Sequence, residues 1–165
     1  MIIAPCILDA RLQAVQKTNP HWGIPFWDLL SQNKVDVFVL PCPESEWLGI
    51  PRDPHGIDYY LALDGFSDFC SRRAVESARN ISTLIGDDYV SCCCVGIEHS
   101  PTCAVSYMYS RRGTIRRKGI FFQHLFEAMT ELGIEYQGIG INRSHTGKAL
   151  SCLRDAILSD AGGKD

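Results

Sequence analysis

Three of the eight cysteines lie at the end of, or shortly after, segments that predict β-strands. Cys6 lies in the motif APCIL, Cys42 in LPCPE and Cys103 in GIEHSPTC. If the three strands are parallel neighbours, their carboxyl ends lie at one edge of the sheet and the three thiols meet in one crevice. Three convergent thiolates are a suitable donor set for an iron–sulfur cluster or for zinc.

The other cysteines are expected to be packing residues, because free cysteine behaves as a small hydrophobic side chain. Cys70 and Cys152 fall in helical apolar patterns. Residues 92–94 are consecutive cysteines in a predicted strand, so Cys93 points to the opposite face from its two neighbours. These three residues therefore cannot form a cluster together.

Strand and helix patterns alternate four times along the chain, which predicts an α/β fold. We expect a small doubly wound, Rossmann-like parallel sheet of about four strands in the order 2-1-3-4, with helices on both faces. One domain is expected over residues 1–158, with a flexible tail over 159–165. The expected strands are residues 2–7, 35–40, 89–97 and 136–141, and the main helices are 26–30, 66–85, 122–132 and 150–157, with Asp64 capping the second helix.

Composition narrows the functional classes. Apolar residues make up 45% of the chain, enough for a packed core. Acidic residues outnumber basic residues by 19 to 16, which argues against binding to a nucleic-acid polymer. Residues 1–8 carry no basic segment and no apolar run is long enough to span a membrane, so we expect a cytoplasmic protein without a membrane partner. A homodimer is left open as an alternative to a monomer.

Taken together, the motifs resemble those of a family of small iron–sulfur desulfidases whose best-known members remove sulfur from 2-thiouracil. The resemblance rests on the cysteine after the first strand, on C-P-E at 42–44 followed by GIP-R-x-P at 49–54, and on S-P-T-C at 100–103. A helix start with glycine, isoleucine, phenylalanine and a later leucine, at 119–125, is similar as well. The resemblance covers most of residues 1–133. Ala4 and Ala104 depart from it, since the family favours serine and glycine there.

The resemblance implies a [4Fe-4S] cluster held by Cys6, Cys42 and Cys103, with one iron open to substrate. It further implies that Glu44 and Ser100 lie at the active site. Glu44 would activate water or move a proton, and Ser100 would hydrogen-bond a heteroatom of the substrate. The implied substrate is a small thiolated molecule, a thiouracil-like base or nucleotide, whose sulfur the open iron captures. Whether a fourth cysteine from 92–94 reaches that iron is left open.

Two weaker signals concern substrate binding. The segment 111–118 carries five cations in what is expected to be a long loop, 99–119, leaving the site. We expect this loop to close over an anionic substrate through Arg116 and Arg117. Trp47 is expected to form a wall of the crevice.

Three other interpretations fit the same residues. One is a structural or regulatory zinc site made by Cys6, Cys42, Cys103 and His99, because tetrahedral Cys₃His coordination is common for zinc. Another is a carrier of sulfur or of an iron–sulfur cluster that catalyses nothing. The third is a metal-free α/β domain whose cysteines only pack.

Overall fold

The computed structural model describes residues 1–15, 19–86 and 91–161. In chain order, the strands are β1 (Ile2–Ile3), β2 (Phe38–Val39), β3 (Ser91–Ile97), β4 (Tyr107–Ser110), β5 (Gly113–Arg116) and β6 (Glu135–Ile141). The α-helices are α1 (Pro5–Leu8), α2 (Ile24–Gln32), α3 (Pro43–Leu48), α4 (Ile57–Leu61), α5 (Phe66–Ile85), α6 (Ile120–Glu131) and α7 (Thr146–Ala161).

The central sheet has four parallel strands in the order β2-β1-β3-β6. This confirms the predicted Rossmann-like α/β fold with strand order 2-1-3-4, since β6 is the fourth strand of this sheet. Helix α5 packs against α6, and α2 packs against α7, so that helices cover both faces of the sheet. The chain adds β2 on one side of β1 and β3 on the other side, so the strand order changes direction between β1 and β3. Folds of this kind bind ligands beyond the carboxyl ends of the strands at that position.

Burial on both faces explains the apolar run of the central strand β3. Cys94 and Val95 are fully buried, and the Cys94 thiol lies 3.9 Å from the sulfur of Met129 on α6. Helix α6 presents Phe121, Phe122 and other apolar side chains to the same core. A strand covered by helices in this way needs no polar face, so its sequence shows no alternation.

The first two strands are shorter than predicted. Pro5 stands in the first turn of α1, and its ring fixes the backbone angle that a helix start requires. Pro43 occupies the same place in α3. The strands β1 and β2 contribute two residues each where the sequence predicted 2–7 and 35–40. The helix start at Pro5 explains the early end of β1, whereas β2 is short mainly because residues 35–37 are not part of the strand. Helix α5 was correctly predicted, but its cap is Gly65 in a left-handed conformation (φ 75°) and not the side chain of Asp64.

The segment 99–119, predicted to be a long loop, contains the antiparallel hairpin β4–β5. Met108 is fully buried between Tyr107 and Tyr109, which are 45% and 50% exposed, so β4 does show the alternation of a half-buried strand. The carboxylate of Asp58 on α4 accepts a hydrogen bond from the backbone N–H of Arg111 at 2.6 Å. This hydrogen bond attaches the hairpin to α4, so the segment is a regular element and not the long loop that was predicted.

Helix α7 begins at Thr146, after a 3₁₀ turn over Arg143–His145, and extends to Ala161. Its end lies three residues beyond the predicted domain boundary at 158, and the rest of the predicted tail, 162–165, lies outside the described residues. Cys152 is exposed on this helix, contrary to the prediction of a packing role, whereas Cys70 is buried as predicted. Within the described ranges, no helix has the length and apolarity needed to span a bilayer.

Candidate functional site

Cys6, Cys42 and Cys103 line one cavity of about 630 Å³ at the carboxyl ends of the first three strands of the sheet. Cys6 lies in α1 directly after β1, and Cys42 is the residue before α3. Cys103 lies in a turn that follows β3. The cavity is of the size that small-molecule sites usually have. The structure thus brings together the three thiols that the sequence predicted to converge.

Two glycines allow the turn containing Cys103 to approach the sheet and α6. A Cβ atom on Gly96 would lie 2.2 Å from the carbonyl oxygen of Cys103, and one on Gly119 would lie 2.3 Å from the carbonyl carbon of Thr102. A side chain at either position would therefore collide with the backbone of the turn. Within the turn, Ser100 Oγ accepts a hydrogen bond from the backbone N–H of Cys103 at 3.1 Å. These contacts fix the position of the third thiol.

Burial raises the pKa of all three thiols above the ordinary value. The charge that Cys42 would carry raises the pKa of Cys6 further, and those of Cys6 and Cys42 raise the pKa of Cys103. The sulfurs therefore lie close enough to repel one another once ionised. A cationic group bound between them would remove that repulsion and stabilise the thiolates.

The carboxylate of Glu44 is buried next to the thiols and accepts four side-chain hydrogen bonds. Oε2 accepts from Arg52 Nε and from the hydroxyl of Tyr60, both at 3.1 Å. Oε1 accepts from Thr102 Oγ1 at 2.6 Å and from Ser100 Oγ at 3.3 Å. Burial, followed by the nearby carboxylate, raises the pKa of Tyr60, so its hydroxyl keeps its proton. The structure thus places Glu44 and Ser100 together.

Arg52 and Thr102 were assigned no role by sequence reasoning, although both lie inside the motifs that carried it. Arg52 is buried, donates to the backbone carbonyl of Leu12 at 2.7 Å, and places Nη2 3.9 Å from the sulfur of Cys42. Thr102 is 1% exposed. The available signals were an arginine between two prolines and a threonine next to Cys103. Their contacts with Glu44 depend on the tertiary fold.

The opposite wall of the cavity comes from the start of the chain and from the segment after β6. The guanidinium of Arg143 lies 5.7 Å from the centre of the Trp22 ring and donates a hydrogen bond to Gln13 Oε1. Gln13 in turn donates to the carbonyl of Cys6 at 2.8 Å. None of these three cavity residues was predicted, because no local motif distinguishes them.

Three predicted substrate residues lie apart from the thiols. Trp47 packs against Phe66 and Phe69, with ring centres 5.6 and 5.2 Å away, and does not line the cavity. Arg116 ends β5 and Arg117 follows it, and neither lines the cavity. The hairpin reaches the cavity through Tyr109, whose ring stacks on that of His99 at 4.3 Å. A substrate role for Arg116 and Arg117 stays a prediction.

Within the described residues, no group of three or more histidine, cysteine, aspartate or glutamate side chains is arranged as the shell of one metal ion. The four residues of the zinc interpretation therefore do not surround a common point as a tetrahedral zinc shell would. In a [4Fe-4S] cluster each cysteine binds a different iron, so the sulfurs need not meet around one ion.

The fold and cavity define a Rossmann-like α/β protein with a thiol-lined site. No family model matches the chain, and no solved structure matches it. The chain is similar to a protein of Methanocaldococcus jannaschii named "Uncharacterized protein MJ0003", with 24% identity over 112 residues. The similar region covers 68% of this chain and 65% of that relative, which is less than two thirds of the relative's length. That name states no function, so a functional conclusion depends on the site.

Proposed function

We propose that the protein is an iron–sulfur-dependent desulfidase that converts C=S to C=O in a small thiolated compound, such as a thiouracil-like base or nucleotide. The observation that carries the proposal is the buried carboxylate of Glu44 beside three thiols that line one cavity. A purely structural metal site has no need of an acid–base group next to its ligands. The resemblance of the C-P-E and S-P-T-C motifs supports the same function.

Cys6, Cys42 and Cys103 would hold a [4Fe-4S] cluster. Their mutual repulsion when ionised and their common cavity fit a multi-thiolate centre. Bound there, the cluster supplies a Lewis-acidic iron with high affinity for sulfur. The overall reaction is a hydrolysis: the oxygen of water forms the new bond to carbon, the carbon–sulfur bond breaks, and sulfur leaves as hydrogen sulfide. No oxidant or reductant is consumed.

Glu44 is the residue that takes the proton from the attacking water. The contact with Ser100, at 3.3 Å, is the longest of its four hydrogen bonds, so a water molecule displaces it at the lowest cost. The freed hydroxyl of Ser100 then donates to a heteroatom of the substrate. Arg52, Tyr60 and Thr102 remain in place and keep the carboxylate aimed at the cavity.

Anaerobic reconstitution with iron and sulfide tests the proposal. We expect a brown protein that binds about four irons and four sulfides per chain and releases sulfide from 2-thiouracil or its nucleotide. Replacing Cys6, Cys42 or Cys103 by serine should lower iron binding and abolish turnover. Cys152→Ser is the matched control, because this thiol is exposed and does not line the cavity. A colourless protein with one zinc, or full turnover in Cys42→Ser, would contradict the proposal.

Glu44→Gln separates an enzyme from a carrier of sulfur or clusters. The amide keeps the size of the side chain but cannot accept a proton, so turnover should fall by about 100-fold or more while iron content stays unchanged. Iron and acid-labile sulfide are measured on the same sample as sulfide release. An iron-loaded variant with the original rate would remove the catalytic role of Glu44.

A further inference from the structure

His99 is a half-buried histidine of the cavity wall that the proposed function does not use. It directly precedes Ser100, whose hydroxyl donates to Glu44. The zinc interpretation made it a metal ligand, but within the described residues it belongs to no shell of three or more such side chains around one ion. A polar ring on this wall lies where it can contact a molecule that occupies the cavity.

The backbone of His99 has a conformation that few residues other than glycine adopt. Its φ is 69°, which lies in the left-handed region. Lys34, the other described non-glycine residue with a positive φ, follows the C-cap of α2, where a left-handed residue is common. His99 instead lies two residues beyond β3 and ends no helix. Strained backbone of this kind is retained mainly at functional sites.

The hairpin β4–β5 holds His99 in this conformation. The backbone N–H of His99 donates to the carbonyl of Tyr107 at 2.7 Å, and its ring stacks on Tyr109 with the planes 16° apart. The preceding residue, Glu98, fixes the start of the hairpin, because its Oε2 accepts from the backbone N–H of Tyr107 at 2.8 Å. The orientation of the imidazole ring is therefore set before any ligand binds.

The two ring nitrogens of His99 have different surroundings. Nδ1 is buried and has no hydrogen-bond partner, whereas Nε2 is not among the buried unpaired atoms. No hydrogen bond of the described residues includes Nε2, so this nitrogen is the accessible one. An uncharged imidazole carries its proton on one nitrogen and accepts through the other. Because a buried N–H without an acceptor is rarer in folded proteins than an unsatisfied acceptor, these surroundings favour Nδ1 as the bare nitrogen and Nε2 as the N–H.

We propose that the Nε2–H of His99 donates a hydrogen bond to a carbonyl oxygen of the substrate ring and thereby determines specificity. This inference rests on the proposed function for the identity of the substrate, a thiouracil-like base. The ring nitrogens of such a base carry hydrogen or a sugar, and its sulfur is the reacting atom, so the carbonyl oxygen is the acceptor that remains. His99 thus selects thiolated bases that carry a ring carbonyl over those that lack one.

The position of the proton on His99 can be measured without turnover. A long-range ¹H–¹⁵N NMR spectrum of the anaerobically purified protein separates the two tautomers, and His99→Asn assigns the signals. We expect a protonated Nε2 and a bare Nδ1, and uracil should shift the Nε2 signal. A proton on Nδ1, or an Nε2 signal that uracil leaves unchanged, would overturn the proposal.

Calorimetry with uracil and with pyrimidin-2-one, which lacks the second carbonyl oxygen, tests the specificity. The wild-type protein should bind uracil about tenfold more tightly. His99→Asn should bind both probes equally, and asparagine tolerates the positive φ, so the backbone is kept. His99→Gln retains an N–H donor and should keep most of the preference. His124→Asn, a half-buried histidine on α6 outside the cavity lining, is the matched control. Equal wild-type affinities, no binding of either probe, or equal loss in the Asn and Gln variants would refute the role of His99.

The two proposals can fail separately. A preference for uracil that His99→Asn removes, in a protein that releases no sulfide, would keep the role of His99 and reject the desulfidase. Sulfide release at equal kcat/KM from 2-thiouracil and from pyrimidine-2-thione would keep the desulfidase and reject the role of His99. Where both proposals hold, His99→Asn should lower kcat/KM for 2-thiouracil about tenfold and leave that for pyrimidine-2-thione unchanged.

Discussion

Glu44 shows how one side chain can be fixed by contacts from several segments. Its carboxylate, at the start of α3, receives hydrogen bonds from the loop before α4, from α4 itself and from the turn after β3. Four donors leave the carboxylate little freedom to rotate, so its orientation is set before any substrate arrives. Such preorganisation is what makes an acid–base group effective.

Thr102 is predicted to be a positioning residue for Glu44. Thr102→Val removes the 2.6 Å hydrogen bond and keeps the volume, so turnover should fall about tenfold or more while iron content is unchanged. Thr102→Ser restores the hydroxyl and should restore most of the rate. A purely structural role predicts instead that both variants change the melting temperature and neither changes the rate of the folded protein.

The buried pair of Arg52 and Glu44 should contribute differently to stability from the surface pair of Arg73 and Glu46. Arg52→Gln leaves a buried carboxylate without its cation and should lower the free energy of unfolding by about 3–5 kcal/mol. Arg73→Gln breaks the partly exposed pair with Glu46 and the neighbouring pair with Glu76, and should cost about 1 kcal/mol or less. Urea denaturation of the two variants makes the comparison. Equal decreases in the free energy of unfolding would show that the buried pair contributes no more to stability than the surface pair.

At the scale of elements, the turn after β3 depends on the absence of side chains beside it. Gly96 lies in the central strand, where a methyl group would collide with the carbonyl oxygen of Cys103 and the ring of Phe122. The carbonyl oxygen of Cys103 cannot move away from such a methyl group without displacing Cys103 itself. Gly96 therefore helps to position Cys103, which follows it by seven residues.

Gly96→Ala is expected to lower stability by about 1–3 kcal/mol and to reduce iron binding, because the displaced turn carries Cys103. Gly147→Ala is the matched control: nothing lies within 4 Å of a Cβ there, and alanine favours the helix. That variant should be neutral or more stable by up to about 1 kcal/mol. Thermal denaturation and iron content of both variants are the measurements. A fully loaded, stable Gly96→Ala protein would contradict this explanation.

The order of elements could be predicted from the sequence, whereas their lengths and the hairpin could not. Continuous apolar runs and helical stripes identified β3, α5, α6 and β6, since these elements bury a regular face. Pro5 follows the first strand so closely that a helix start replaces the expected end of that strand. In β4–β5 only Met108 is fully buried, and a single buried residue gives too weak an alternation for a prediction.

The residues of the candidate site also fall into a group that could be predicted from the sequence and a group that could not. The cysteines and Glu44 lie in the segments that follow the first three strands of the sheet, so topology alone places them at one edge of the sheet. Arg143, Gln13 and Trp22 reach the cavity through side-chain contacts between the two ends of the chain. No local pattern encodes such contacts, and sequence reasoning therefore found one wall of the cavity and missed the other.

At the scale of the molecule, a cluster would join the ends of three neighbouring strands. Binding to the folded chain and not to the unfolded chain stabilises the fold by mass action. Loading with iron and sulfide should therefore raise the melting temperature by about 5–10 °C. Cys103→Ser should show little of this increase, and Cys152→Ser should show all of it. An unchanged melting temperature on loading of the wild-type protein would argue against a centre bridging the strands.

The cavity wall that carries Arg143 follows β6, the last strand of the sheet, and that strand pairs with β3. A nascent polypeptide emerging from the ribosome exposes its first two thiols long before this wall has been synthesised. The complete lining of the cavity therefore exists only after β6 has been synthesised and has joined the sheet.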